Sequence, residues 1–106
     1  MIHIVAKWQI KPEYADQWPE LVAEFTEATR SEPGNKWFAW SRSLDDPNEY
    51  VLIEAFDDDA AVAHVSSDHF KKATADLPQF LVATPEIINT TVDADGWSEL
   101  GEMSVD

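Results

Sequence analysis

Asn35-Lys36-Trp37-Phe38-Ala39-Trp40-Ser41-Arg42-Ser43-Leu44, then Asp45-Asp46-Pro47-Asn48, then Glu49-Tyr50-Val51-Leu52-Ile53-Glu54-Ala55-Phe56-Asp57, reads as strand, turn and strand. Side chains alternate across a strand, so Phe38, Trp40 and Arg42 share one face and Trp37, Ala39 and Ser41 the other. The second run places Tyr50, Leu52, Glu54 and Phe56 together. Between them, Asp and Asn side chains cap local backbone groups while Pro47 fixes φ, which makes a turn. An antiparallel hairpin is expected. Pairing Leu44 with Tyr50 would set Trp40 opposite Glu54, and Arg42 opposite Leu52 with Glu54 as a diagonal neighbour.

Working outward, Ile2, Ile4, Ala6, Trp8 and Ile10 alternate with His3, Val5, Lys7 and Gln9, a strand. Pro12 suits the first position of a helix. Tyr14, Trp18, Leu21, Phe25 and Ala28 then follow one helical face. Pro19 predicts a kink or break inside it, and Glu32-Pro33-Gly34 ends it near Ser31. After the hairpin, Asp57-Asp58-Asp59 is suited to cap a helix from about residue 60. Asp68 continues or restarts it to Ala75, Leu77-Pro78 ends it, and 79–83 is a connector. Thr84 to Val92 is rich in Ile, Thr and Val, a last strand. The order β-α-β-β-α-β defines a ferredoxin-like α+β fold. Residues 1–93 form this domain, and 94–106 an acidic C-terminal tail with Trp97 and Met103 as possible anchors.

The 106 residues carry a formal net charge of −14. That field repels phosphate backbones and anionic lipid surfaces, so neither nucleic acid nor membrane is an expected partner. No apolar run approaches the ~20 residues of a membrane span. Without cysteine there is no disulfide, zinc-thiolate or thiol chemistry, which agrees with a cytoplasmic location. The acidic runs lack calcium-loop spacing, and no metal is expected. One sheet face meets the helices, yet both faces carry apolar residues. The second therefore predicts a two-fold homodimer with stacked sheets, unless the tail covers it.

Histidine is the side chain whose ordinary pKa lies nearest neutrality, which makes His64 and His69 the candidate catalytic bases. Their five-residue spacing leaves them about 140° apart on a straight helix, so only a break near Ser66-Ser67 lets them converge. Satisfaction by backbone groups is the competing reading for each. Trp40 and Phe70 are candidate pocket aromatics, with core packing the alternative for Trp40. Glu54 on an apolar strand face needs a partner, and Arg42 or a histidine could supply it. Asn35 either shapes the Gly34 turn or donates to a ligand oxygen.

With Glu32-Pro33-Gly34, the aromatic strand Trp37-Phe38-Ala39-Trp40, the strand Tyr50 to Phe56, and Ala63-His64 with Ser67-Asp68-His69-Phe70 in this order, the chain resembles the antibiotic biosynthesis monooxygenase family, nearest its small quinol monooxygenase branch. The resemblance spans about Ile2 to Val92. It implies a dimeric α+β barrel, and oxygenation of a quinol-like or polyphenolic aromatic by molecular oxygen with no cofactor. His64 or His69 would then be the base, and Trp40, Asn35, Arg42, Glu54 and Phe70 would hold the substrate. A bound quinol anion is electron-rich enough to reduce oxygen itself, so the protein need only deprotonate it and stabilise what forms. Other branches degrade haem with His, Asn and Trp, or isomerise small phosphorylated ketones. Asn35 and Trp40 are available for the former, and Arg42 or Lys72 for one phosphate in the latter. A non-catalytic ligand-binding dimer uses the same fold.

Overall fold

The computed structural model describes residues 1–105. β1 (Ile2–Gln9), β2 (Asn35–Arg42), β3 (Glu49–Phe56) and β4 (Glu86–Thr91) form one antiparallel sheet in the order β2-β3-β1-β4. A 3-10 turn (Pro12–Gln17) leads into α1 (Trp18–Leu21) and α2 (Ala23–Arg30). α3 (Ala60–Val65), α4 (Asp68–Asp76) and a 3-10 turn (Leu77–Phe80) follow β3. This is the ferredoxin-like α+β arrangement that the element order predicts. Among the described residues, no helix is long and apolar enough to cross a membrane. The last position of the expected tail, 106, lies outside the described residues.

The hairpin register differs from the expected one by two residues: Arg42 pairs with Tyr50, Trp40 with Leu52 and Phe38 with Glu54. The cause is a longer turn. The Ser43 hydroxyl accepts from the backbone N–H of Asp45 and Asp46, Asp46 caps Asn48, and Leu44 is left in solvent. A slip of two preserves which face each side chain takes. The helix-facing sets therefore stand: Ile4 and Ala6, Phe38, and Tyr50, Leu52, Glu54 and Phe56, all buried.

Pro19 breaks the first helical region more completely than a kink. It has no N–H to give the carbonyl of Ala15, which instead receives the Trp18 N–H and, at 2.8 Å, the Tyr50 hydroxyl. The buried ridge runs Trp18, Val22, Thr26, Thr29, with Leu21, Phe25 and Ala28 flanking it rather than forming its centre. Trp8, Trp18 and Trp40 interlock at centroid distances of 5.2–5.7 Å. The acidic run before α3 makes no side-chain cap. Asp58 instead pairs with the N-terminal amine at 3.0 Å and Asp57 with Lys36 at 3.5 Å.

On the other sheet face, Val5 and Ile53 are half-buried and Ile88 is exposed. The tail crosses one corner of it. Trp97 packs on Trp37 with centroids 5.2 Å apart, and Lys36 donates to the Asp95 carbonyl.

Candidate active site

A cavity of about 280 Å³ lies between the helix-facing side of β1, β3 and β4 and the helix α4. Trp8, Phe25, Leu52, Phe70, Leu77 and Ile87 supply much of its wall. Its ionisable lining groups are Glu54 and His64. An apolar pocket with a few convergent polar groups is the usual form of a small-molecule site.

Glu54 is placed there by strand alternation. It pairs with Ile4 and Phe38, both buried, and is itself 7% exposed. Burial raises its pKa from 4.5 to about 7, and the nearby Glu32 carboxylate adds to the shift. His64 sits at the end of α3, buried against Phe56 and Phe70 at centroid distances of 4.9 and 5.1 Å. Its Nε2 lies 3.9 Å from Glu54 Oε1, and its Nδ1 lies 2.7 Å from Glu32 Oε2.

The chain interrupts its helix at Ser66-Ser67, and Ser67 restarts it by accepting from the Phe70 N–H. That break undoes the angular separation of the two histidines. His69 Nε2 comes to 2.6 Å from the same Glu32 oxygen that His64 contacts. Glu32 is held in the turn after α2, where its N–H donates to the Thr29 carbonyl and its own carbonyl accepts from Asn35. Gly34 lets this turn reach α3. A Cβ there would collide with that of Ala60.

A carboxylate can only accept hydrogen bonds. Glu32 therefore assigns a proton to His64 Nδ1, and in the neutral ring the Nε2 lone pair faces Glu54 and the cavity. A carboxylate behind an imidazole that faces a substrate space is the arrangement that orients a general base. Glu32, His64 and His69 also offer one potential metal-ligand atom each.

Of the residues singled out in the sequence, the structure places His64, Glu54 and Phe70 on the cavity. His69 reaches Glu32 but lines a separate groove beside Glu24 and Lys72. Trp40 is in the tryptophan cluster, its Nε1 donating to Thr26 Oγ1 at 3.0 Å. Asn35 shapes the irregular start of β2 by donating to the carbonyls of Trp37 and Ala55. Arg42 is on the surface, bound to Asp16 at 2.8 Å and to the Pro47 carbonyl. Glu54 finds its partner in His64, not Arg42. The sequence reading missed Glu32 as a site residue. Its only signal was an acid at the close of a helix, held by a Pro-Gly turn. It also missed Leu81, Pro85 and Ile87, which bring the β4 edge over the cavity.

The fold is ferredoxin-like, and a buried carboxyl group and an imidazole face one apolar cavity. The family model described as antibiotic biosynthesis monooxygenase matches residues 1–76, and the chain belongs to that family. It is similar to the protein named Putative monooxygenase YcnE of Bacillus subtilis, at 25% identity over 91 residues covering 85% of this chain and 96% of that one. Among solved structures it resembles an antibiotic biosynthesis monooxygenase with a TM-score of 0.77 and 26% identity, covering 89% of this chain and all of the other. It also resembles a conserved protein from Methanosarcina mazei Go1, with a TM-score of 0.78 and 30% identity over 84% of this chain and 89% of that chain. The role of the chain is thus monooxygenase-like.

Proposed function

We propose that the cavity binds a one- or two-ring quinol or related phenol, and that its oxygenation by molecular oxygen needs no cofactor. The observation that carries this reading is the pairing of His64 and Glu54, both buried, on one otherwise apolar cavity. His64 Nε2 takes the phenolic proton, with Glu32 stabilising the imidazolium that results. The quinol anion passes electrons to oxygen, and a C–O bond forms at the ring. Glu54 is about half protonated near neutrality, and in that form it donates to the outer peroxide oxygen. The O–O bond breaks, the C–H bond at the same ring carbon gives up its proton to the Glu54 carboxylate as the new carbonyl forms, and water leaves. The balance is quinol plus oxygen giving hydroxyquinone plus water. The apolar wall excludes bulk water from the charged intermediates. The negative groups at the site disfavour phosphorylated ligands.

Two copies stacked on the face that carries Val5, Ile53 and Ile88 complete the proposed assembly, a homodimer whose mass sedimentation equilibrium would report. Oxygen uptake with hydroquinones and dihydroxynaphthalenes, in chelator and corrected for autoxidation, tests the chemistry. Protein-dependent uptake with a hydroxylated quinone product is expected, falling about 10²–10⁴-fold in His64→Gln. Uptake no faster than autoxidation across the panel would overturn the reading.

A further inference from the structure

Behind the cavity wall, the ligand atoms of Glu32, His64 and His69 all lie within 4.8 Å of one another. Two imidazole nitrogens and a carboxylate oxygen are a donor set for borderline first-row divalent ions, and three protein ligands leave a fourth position open. We propose that these three residues bind a divalent ion of the zinc class, and that its binding switches off the base facing the cavity.

Three features of the surroundings support the site. The donors come from three elements locked against each other: the turn after α2, the end of α3 and the first turn of α4. His64 carries a second carboxylate on its far side, Glu54 at 3.9 Å from Nε2, the outer partner that ligating histidines regularly have. The His69 side chain is 25% exposed beside a groove lined by Glu24, Lys72 and Asp76, which gives an ion a route in from solvent. In the metal-free chain both nitrogens donate to one Glu32 oxygen, at 2.7 and 2.6 Å. Ligand bonds of about 2.0–2.2 Å in a tetrahedral shell set such atoms roughly 3.4 Å apart, so each nitrogen–oxygen pair must open by under ~1 Å and the two nitrogens, within 4.8 Å of each other, must settle at that spacing. Rotation of the Glu32 carboxylate contributes to the opening, and rotation of the part-exposed His69 ring to the approach of the nitrogens.

The switch follows from the two ring nitrogens. Without metal, Glu32 keeps the His64 proton on Nδ1 and leaves Nε2 as an acceptor. A metal ion on Nδ1 displaces that proton, and the neutral ring must then carry its proton on Nε2. The nitrogen that faces the ligand then carries a proton and can no longer accept one. This second half of the proposal rests on the reading of His64 as the cavity base.

The test uses the untagged, chelator-stripped full chain. Cobalt(II) titration is expected to give visible ligand-field bands that saturate at one ion per chain, and zinc should displace it. His69→Ala and His69→Gln should each lose more than about 100-fold in affinity, and Glu54→Gln about 10–100-fold, as loss of an outer partner does. Saturating zinc should lower the wild-type oxygen-uptake rate at least ~10-fold and leave the His69→Ala rate, whatever its level, unchanged. Cobalt binding equal in wild type and both His69 variants would overturn the site. Equal zinc inhibition of wild type and His69→Ala would overturn the switch. If the metal-free chain takes up no oxygen, the oxygenation reading falls by itself, and the cobalt spectra still decide the site.

Discussion

Beneath β2 and α1, Trp18, Trp40 and Tyr50 pack edge to face or tilted with centroids 5.7–6.4 Å apart. Beneath β4 and α4, the same layer of the molecule lines a cavity of about 280 Å³ that holds the buried Glu54 and His64, whereas the charged groups beside the space of about 270 Å³ along the indoles, Glu27 and Arg30, are exposed. Trp8 stands between the two, stacked against Trp18 and Trp40 on one side and lining the cavity on the other. The filled half satisfies only some of its polar atoms, Trp40 on Thr26 and Tyr50 on Ala15, and leaves Trp18 Nε1 without a partner among the described residues. The hollow half leaves Glu54 and His64 with each other and with whatever enters. Stability is concentrated where the indoles interlock. The cavity instead holds a carboxyl group in apolar surroundings, where we propose the chemistry takes place.

The sharpest way to break this contrast is Trp18→Ala. Trp18 is fully buried at the centre of the filled half. Its loss should destabilise the chain by about 3–5 kcal/mol, read by chemical denaturation. A cost below about 1.5 kcal/mol would mean that the indole cluster is not the anchor of the fold.

The hollow half should respond in the opposite sense. Glu54 in the metal-free fold titrates at about 7 instead of 4.5. Between those values the folded chain keeps a proton that the unfolded chain has released. The stability this group contributes is therefore complete at the acid end, falls as pH rises through about 7, and then levels off. The fall amounts to roughly 3 kcal/mol at most. His64 and Glu32 lie beside Glu54, so the informative quantity is the difference between wild type and Glu54→Gln in chelator. The two should be similarly stable near pH ~4.5, with the variant pulling ahead by up to roughly 3 kcal/mol by pH ~8. A difference that does not change with pH would place Glu54 in contact with water and remove the hollow half's distinguishing feature.

The contrast between the halves was only partly legible in the sequence. The fold was legible, because alternation and helical spacing survive errors of detail. The hairpin register was misjudged by two residues, yet every side chain kept its face. The chemistry of the site was legible as residue types. Glu54 stood out on an apolar face, and His64 and His69 could meet only through the break that Ser67 provides. The location of the cavity was not legible. A void depends on how Leu81, Ile87 and Phe70 meet across the layer, and no local pattern records that. Trp40 and Trp8 look alike in their strands, and only packing puts one in the solid half and the other on the cavity wall. Glu32 was hidden because its position depends on Gly34 lying against Ala60, a contact between distant segments.

Arg42 gives the smallest effect and the finest test of the boundary. Its guanidinium pairs with Asp16, which is 91% exposed, and lies over the Tyr50 ring at 5.4 Å, on the outer side of the filled half. An exposed pair of this kind is worth less than about 1 kcal/mol. Arg42→Ala should therefore lower stability by no more than that, and leave the affinity for a dihydroxynaphthalene, measured by tryptophan fluorescence quenching, unchanged within about two-fold. Quenching itself is expected, because Trp8 shares the cavity wall. A larger loss of affinity would show that ligand reaches across the indoles to the β2 edge. The division between a solid half and a hollow half would then hold only for the ligand-free chain.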